Sequence, residues 1–406
     1  MEKNSREGHR LLVPARKHSR RRFLVAGLTV GSVVALGTGI SVFLPRLFPS
    51  ARALPAGTRE FDLNGGNVLT VAWSTDGSTF AAGGGTNHVK IWRSSDGQEL
   101  TSLAGPDANA ASWSVAWSPQ RNYIASTWNS GWTGNRVRIW KVPTDEHALL
   151  WPHQRDLILQ EQKTPAETLN MWPVAIAWSP DGTRLAVGDS AGGLQIWDPF
   201  SGQMLQVLQA SQIKANIPVS RLPWSPDGTR IAALNVSAGA KYAVWNVATG
   251  TATILPSQHG LRNTQTGTGN NVTPISWSPD GTTLAGSVDG KVLVWQWDQE
   301  SGSWNETRSL SADPFWRVRA LTWSPDSQQL ATADQNNEIL IWHASTGQQL
   351  GSYHISPPQV GGWNPDNRAQ AYMDADFQIN TLAWAPDGKA LLSGDQVGRV
   401  LLLEIP

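Results

Sequence analysis

Cysteine is absent from all 406 residues, which removes disulfides, thiolate metal sites and cysteine nucleophiles in any compartment. Charge is sparse at 16% against 40% hydrophobic residues, so the chain can build a large core and does not read as disordered. Acidic residues are nearly missing from the first 53 positions, which hold two of them beside ten Lys and Arg. The remainder, 54–406, carries 22 basic and 30 acidic residues, a net charge of −8 hidden under a formal total of zero. A phosphate backbone needs clustered Lys and Arg, so no nucleic-acid partner is expected for this acidic body.

The basic start, residues 1–22, precedes Phe23–Leu44, an apolar run of 22 residues without a charge. As a helix rising 1.5 Å per residue it would be about 33 Å long, enough for a hydrocarbon core of about 30 Å. Basic flanks hold the N-terminus in the cytoplasm and place everything after Leu44 on the far side of the membrane. Ser19, Arg20, Arg21, Arg22, Phe23 and Leu24 resemble the twin-arginine export signal of bacterial type, with an ordinary signal-anchor as the alternative. Residues 45–57 read as a linker, and Ser50-Ala51-Arg52-Ala53 offers a cleavage site before Leu54. Retention as a single-pass anchor and release as a soluble exported protein both remain open.

Tryptophan is what the chain has in excess, 22 residues against four tyrosines. It recurs in one phrase: WSTDG at Trp73, WSPQR at Trp117, WSPDG at Trp178, Trp224 and Trp277, WSPDS at Trp323 and WAPDG at Trp384. A second tryptophan follows 18 to 23 residues later, closing VKIW, VRIW, LQIW, YAVW, VLVW and ILIW at Trp92, Trp140, Trp197, Trp245, Trp295 and Trp342. In the seventh copy Leu403 takes that place. Spacings of 44, 61, 46, 53, 46 and 61 between first tryptophans fit a four-stranded propeller blade with insertions. Ser-Pro-Asp-Gly predicts a type I turn, with Pro presetting φ and Gly relaxing the last position. The tryptophans are expected to fill the wedges between blades.

The seventh copy lacks an outer strand, and an unpaired strand-like piece, Arg59–Leu63, stands before the first. Pairing the two closes an all-β ring of seven blades over residues 58–406 and removes both edges. The whole resembles the WD-repeat family. The SPDG turn is shared with the propeller of the periplasmic Tol system, which usually lacks the I-W ending. Two departures stand out. The Gly-His pair before the first strand is absent, and the Asp before the third strand is placed only at Asp189, Asp289, Asp334 and Asp395. Both imply a looser hydrogen-bond network within blades.

Insertions at 126–136, 152–172, 256–272 and 354–378 are expected on one face, where rigid scaffolds carry their binding loops. Trp113, Trp128, Trp132, Trp172, Trp316 and Trp363 lie outside the repeat and are candidates for docking a protein or peptide partner. Catalytic patterns are weak. Gly188–Gly192 spells G-x-S-x-G in a hairpin turn, where a nucleophile elbow needs a strand-to-helix turn. Ser211–Lys214 has S-x-x-K spacing without support, and Gly267–Gly269 is a lone fragment. Asp366, Asp374 and Asp376 read as a solvated acidic loop, and the histidines lack metal-ligand spacing. The expectation is a monomeric, non-catalytic interaction scaffold without cofactor or metal. The alternative is an extracytoplasmic propeller enzyme or glycan binder using the same tryptophan-rich loops.

Overall fold

In the computed structural model the described residues are 57–120, 122–129, 135–143, 151–158, 172–209, 219–235, 241–257, 274–288, 291–310, 318–356 and 378–405. The export signal and apolar segment expected within residues 1–56 lie outside them. The described residues form seven antiparallel sheets in chain order, six of four strands and one of three. Blade one runs Val68–Trp73, Thr79–Gly84, His88–Arg93 and Glu99–Ala104 from inner to outer strand. Blade seven runs Ile379–Trp384, Ala390–Asp395 and Arg399–Glu404, and its outer strand is Arg59–Asp62. The predicted closure is therefore present, with Arg59 opposite Leu402 and Phe61 opposite Val400. Three successive residues with positive φ, Asn64 at 65°, Gly65 at 103° and Gly66 at 73°, then turn the chain into blade one. Two glycines make that reversal affordable, since only Gly enters this region without a Cβ penalty.

In five of the seven repeats the first tryptophan does more than fill a wedge. The indole Nε1 of Trp73, Trp117, Trp178, Trp224 and Trp323 donates to Ala383, Ala72, Ala116, Ala177 and Ser276 carbonyls at 3.0–3.3 Å. Each acceptor is the residue just before the preceding blade's own first tryptophan. Identical bonds thus stitch inner strand to inner strand at five of the seven junctions, including that of blade seven with blade one, while the Trp277 and Trp384 indoles are buried without an acceptor among the described residues. The second tryptophans are buried at Trp92, Trp140, Trp197, Trp245, Trp295 and Trp342. Trp342 donates to Thr332 Oγ1 at 2.9 Å and Trp140 to Ser126 Oγ at 3.3 Å, so these large rings are satisfied as well as packed.

The turn after the first tryptophan follows its chemistry. Ser74, Ser179, Ser225, Ser278 and Ser324 each donate Oγ to the turn Asp at 2.5–2.6 Å and accept the N–H five residues on at 2.8–3.0 Å. Gly77, Gly182, Gly228, Gly281 and Gly388 take φ of 65–74° at the fourth position, and Ser327 takes 61° where glycine is missing.

Two sequence expectations need correction. Blade four keeps Arg230–Asn235, Lys241–Asn246 and Ala252–Ile254, but its inner segment joins only through a bridge from Trp224 to Ile231. Pro223 supplies no N–H to that ladder, although its carbonyl accepts from Ala232 at 3.0 Å. The insertion expected over 152–172 opens with a strand, His153–Ile158, which is the outer strand of blade two. Its sequence HQRDLI is polar and half-exposed, so hydrophobic periodicity does not reveal it.

Candidate interaction face

Strand alternation puts the turns between second and third strands on the same face as the connections from outer to next inner strand. Three of those turns are pinned by a buried aspartate. Asp189 Oδ1 accepts the N–H groups of Ala191 and Gly193 at 2.9 and 2.7 Å. Asp334 Oδ1 accepts those of Asn336 and Glu338 at 2.8 and 3.1 Å. Asp395 Oδ1 accepts those of Val397 and Arg399 at 3.1 and 2.9 Å. The fourth position expected from the sequence, Asp289, lies outside the described residues. These carboxylates replace loop flexibility by fixed backbone geometry, the condition for a face that binds.

Their second oxygens differ. Asp395 Oδ2 takes the Arg399 Nε at 2.9 Å, and that guanidinium also donates to Ser356 O at 2.7 Å, tying blade seven to the end of blade six. Asp334 Oδ2 is buried without a hydrogen-bond donor among the described residues, as the missing Gly-His pair implied. Burial, with Glu338 adding to it, pushes the Asp334 carboxyl up to about 6 against the two backbone N–H bonds. A folded-state pKa above the unfolded value means the native state binds the extra proton, so stability falls as pH rises from about 4 to about 6. Relative to an Asp334→Asn variant, the wild type is expected to lose about 3 kcal/mol across that window. Paired urea unfolding of both proteins below and above the window checks this. A difference that stays constant with pH removes Asp334 as the titrating group.

The six candidate tryptophans divide. Trp113 and Trp172 are partly exposed on this face. Trp113 bonds through its backbone N–H to Thr127 Oγ1 at 3.2 Å, while its indole N–H is buried with no acceptor among the described residues. Trp172 and Ser190 exchange bonds, Trp172 N–H to Ser190 Oγ at 3.3 Å and Ser190 N–H to Trp172 O at 3.0 Å. Trp128 is corrected: it ends the strand Tyr123–Trp128, has no exposed surface, and donates Nε1 to Ser126 Oγ at 2.7 Å. It belongs to the core between blades one and two. Trp132, Trp316 and Trp363 lie outside the described residues, as do Ser211–Lys214, Gly267–Gly269, Asp366, Asp374 and Asp376.

Gly188–Gly192 sits in the hairpin between Leu185–Asp189 and Leu194–Trp197, and Ser190 is engaged as described. That is not an elbow aimed at a substrate. No group of three His, Asp or Glu arranged to hold a metal occurs among the described residues. A hollow of about 490 Å³ lies along the outer strand of blade four, lined by Lys241, Ile254–Ser257 and Glu306.

Known proteins resemble the chain in the same terms. The repeat model "WD domain, G-beta repeat" matches residues 58–93, 261–296 and 304–343, and "Anaphase-promoting complex subunit 4 WD40 domain" matches 115–227. The chain is a WD40 β-propeller. This WD40 chain is 24% identical over 347 residues to "Protein tipD" of Dictyostelium discoideum, covering 78% of itself and 54% of that protein. It is 27% identical to "WD repeat-containing protein slp1" of Schizosaccharomyces pombe over 38% of itself and 36% of that relative. It is 26% identical to "Anaphase-promoting complex subunit cdh1" of Dictyostelium discoideum over 35% and 16%. The chain therefore spans about half or less of the length of these curated relatives.

Proposed function

We propose that this WD40 propeller is a protein-interaction scaffold, tethered by Phe23–Leu44 and displayed outside the cytoplasmic membrane with its turn-bearing face free for a partner. The observation that carries the scaffold reading is the rigidified face. Three buried aspartates hold the turns, and Trp113 and Trp172 offer partly exposed aromatic surface between them. The kind of relative supports it too, because one of the three is by name a WD-repeat protein and another a subunit of the anaphase-promoting complex. The display rests on the basic start and the uncharged run after it.

Fractionation of cells expressing the tagged full chain tests the display. The wild type is expected in the membrane fraction with its tag accessible from outside, and an Arg20→Lys, Arg21→Lys double variant is expected to stay inside. A wild type recovered in the cytosol overturns the tether. Normal export of the double variant removes the twin-arginine route alone. Crosslinking on intact cells then tests the scaffold, which is overturned if no partner is captured at a Trp113 or Trp172 photoprobe.

A further inference from the structure

The rims of the blades are not alike. Among the described residues five large apolar side chains are exposed, and four of them sit on the outer strands of the neighbouring blades three and four. They are Met204, Leu205 and Val207 at 38–49% and Ile254 at 37%. Other outer strands carry charge, with Glu99 in blade one, Asp156 in blade two, Glu306 in blade five and Glu60 in blade seven. Blade six has a single exposed apolar residue, Leu350, on a strand that ends in His354. Residues 199–209 and 246–257 hold no charged residue at all, within a body of net charge −8.

The ladder explains the exposure. Met204–Gln209 is an edge strand, paired with Leu194–Trp197 alone among the described residues. Its register slips twice, leaving Leu205 and Leu208 as extra residues opposite the partner strand. Such bulges break strict alternation, so Met204 and Leu205 are exposed side by side. Edge strands are ordinarily guarded by charge, and this one is not. The outer strand of blade four, Ala252–Ile254, adjoins it: a Cβ added at Gly250, in the turn before that strand, would lie 3.2 Å from Gln206 Nε2. The hollow beside Ile254 carries the apolar surface on over Leu255 and Pro256.

We propose that the uncharged rim of blades three and four pairs with the same rim of a second copy of the chain, across a two-fold axis. Electrostatics selects the occupant. A net charge of −8 repels another copy, and least where neither side carries charge. The same rim has nothing with which to steer or orient a charged partner. Its polar groups are amides. Gln203 and Gln206 each hold a donor and an acceptor in one side chain, so each is complementary to its own copy across a dyad, as Lys or Glu would not be. A six-residue strand is about 20 Å long and two adjoining sheets about 10 Å apart span about 20 Å with their side chains, so two copies cover about 800 Å², the low end for a specific interface. The dimer is therefore reversible and concentration-dependent. The rim runs between the two faces of the propeller, so pairing leaves the turn-bearing face of each copy open and presents two of them together. The dimer does not rest on the scaffold reading and stands or falls without it.

The test uses the full chain purified in detergent micelles and exploits its lack of cysteine, since one introduced thiol then marks one place. Leu205→Cys and Val207→Cys are each treated with a short bismaleimide. Both are expected to give a crosslinked dimer whose yield rises with protein concentration between about 1 and about 100 μM. Ser102→Cys, exposed on the charged rim of blade one, is expected to give about a tenth of that yield or less. In analytical ultracentrifugation the Leu205→Glu, Val207→Glu double variant is expected to dimerise about tenfold to a hundredfold more weakly, because like charges then meet across the dyad. Its melting temperature should not change, since both side chains already face water. Gln203→Glu, at an exposed polar residue, should weaken the dimer about fivefold and gives the same reading if the double variant unfolds. Pairing is overturned by a monomer throughout the concentration range, or by equal crosslinking at Ser102→Cys. A dimer that survives the glutamates also overturns it, because association then belongs to another part of the chain. Crosslinking of Val207→Cys in cells to a different protein, without a dimer of the chain, overturns the second copy as the occupant.

Discussion

Removal of residues 58–63 from the full chain is expected to leave blade seven open, lower the melting temperature sharply and drive the protein into oligomers. The argument begins with what those residues touch. Phe61 meets Phe80 edge-on at 5.0 Å and lies 5.8 Å from Trp92, so it is clamped into blade one as much as blade seven. Leu63 has no exposed surface and its N–H donates to Gly398 O at 2.9 Å. Arg59 reaches Ser94 O at 2.5 Å and Ser95 O at 3.2 Å, and Lys90 Nζ reaches Asp62 O at 3.2 Å. Losing the apolar burial of two large side chains costs about 5 kcal/mol, the same order as the whole stability of an ordinary domain. The second consequence is kinetic. Val400–Leu403, now buried, would become the edge of a sheet with free N–H and C=O groups, a template for another chain. Size exclusion and a thermal melt decide it: a monomer with an unchanged midpoint rules the closure out as a source of stability.

That closure was legible because two local signals agreed, a strand without a partner at one end and a blade without an outer strand at the other. The seven blades were legible for a related reason, since turn chemistry and tryptophan spacing repeat independently and coincide. Other features left no residue-type signature. The cross-blade indole bonds end on backbone carbonyls, which any residue supplies, and lie 45 to 62 positions apart in four of the five cases. The outer strand His153–Ile158 is polar, and a half-exposed edge does not need the period-two pattern that marks inner strands. Pro223 lies in a segment that reads like the other inner strands, yet one missing N–H reduces that strand to a bridge.

Trp128 shows how position in a repeat misleads when burial is unknown, and its substitution separates folding from binding. It falls where the second blade's hairpin begins to lengthen, so the sequence places it in a loop available to partners. The structure instead closes Tyr123–Trp128 against Arg136–Lys141, with Trp128 opposite Arg136, and turns the ring into the core with Val89, Ile91, Leu103 and Ile124. A Cβ added at Gly105 would come within 2.6 Å of the Trp128 ring, so the neighbouring chain has no slack to take up a vacancy there. Trp128→Ala is therefore expected to leave most of its cavity unfilled and to cost about 3–5 kcal/mol. Ser126 Oγ would also lose the Trp128 indole while keeping that of Trp140 at 3.3 Å, so one hydrogen bond is lost without orphaning the hydroxyl. Trp113→Ala, by contrast, should change stability by less than about 1 kcal/mol, because the ring is partly exposed and its indole N–H has no acceptor among the described residues. Partner capture should respond in the opposite order, reduced by Trp113→Ala and retained by whatever fraction of Trp128→Ala remains folded. Urea unfolding beside crosslinking yield measures both, and equal stability for the two variants would refute the burial of Trp128.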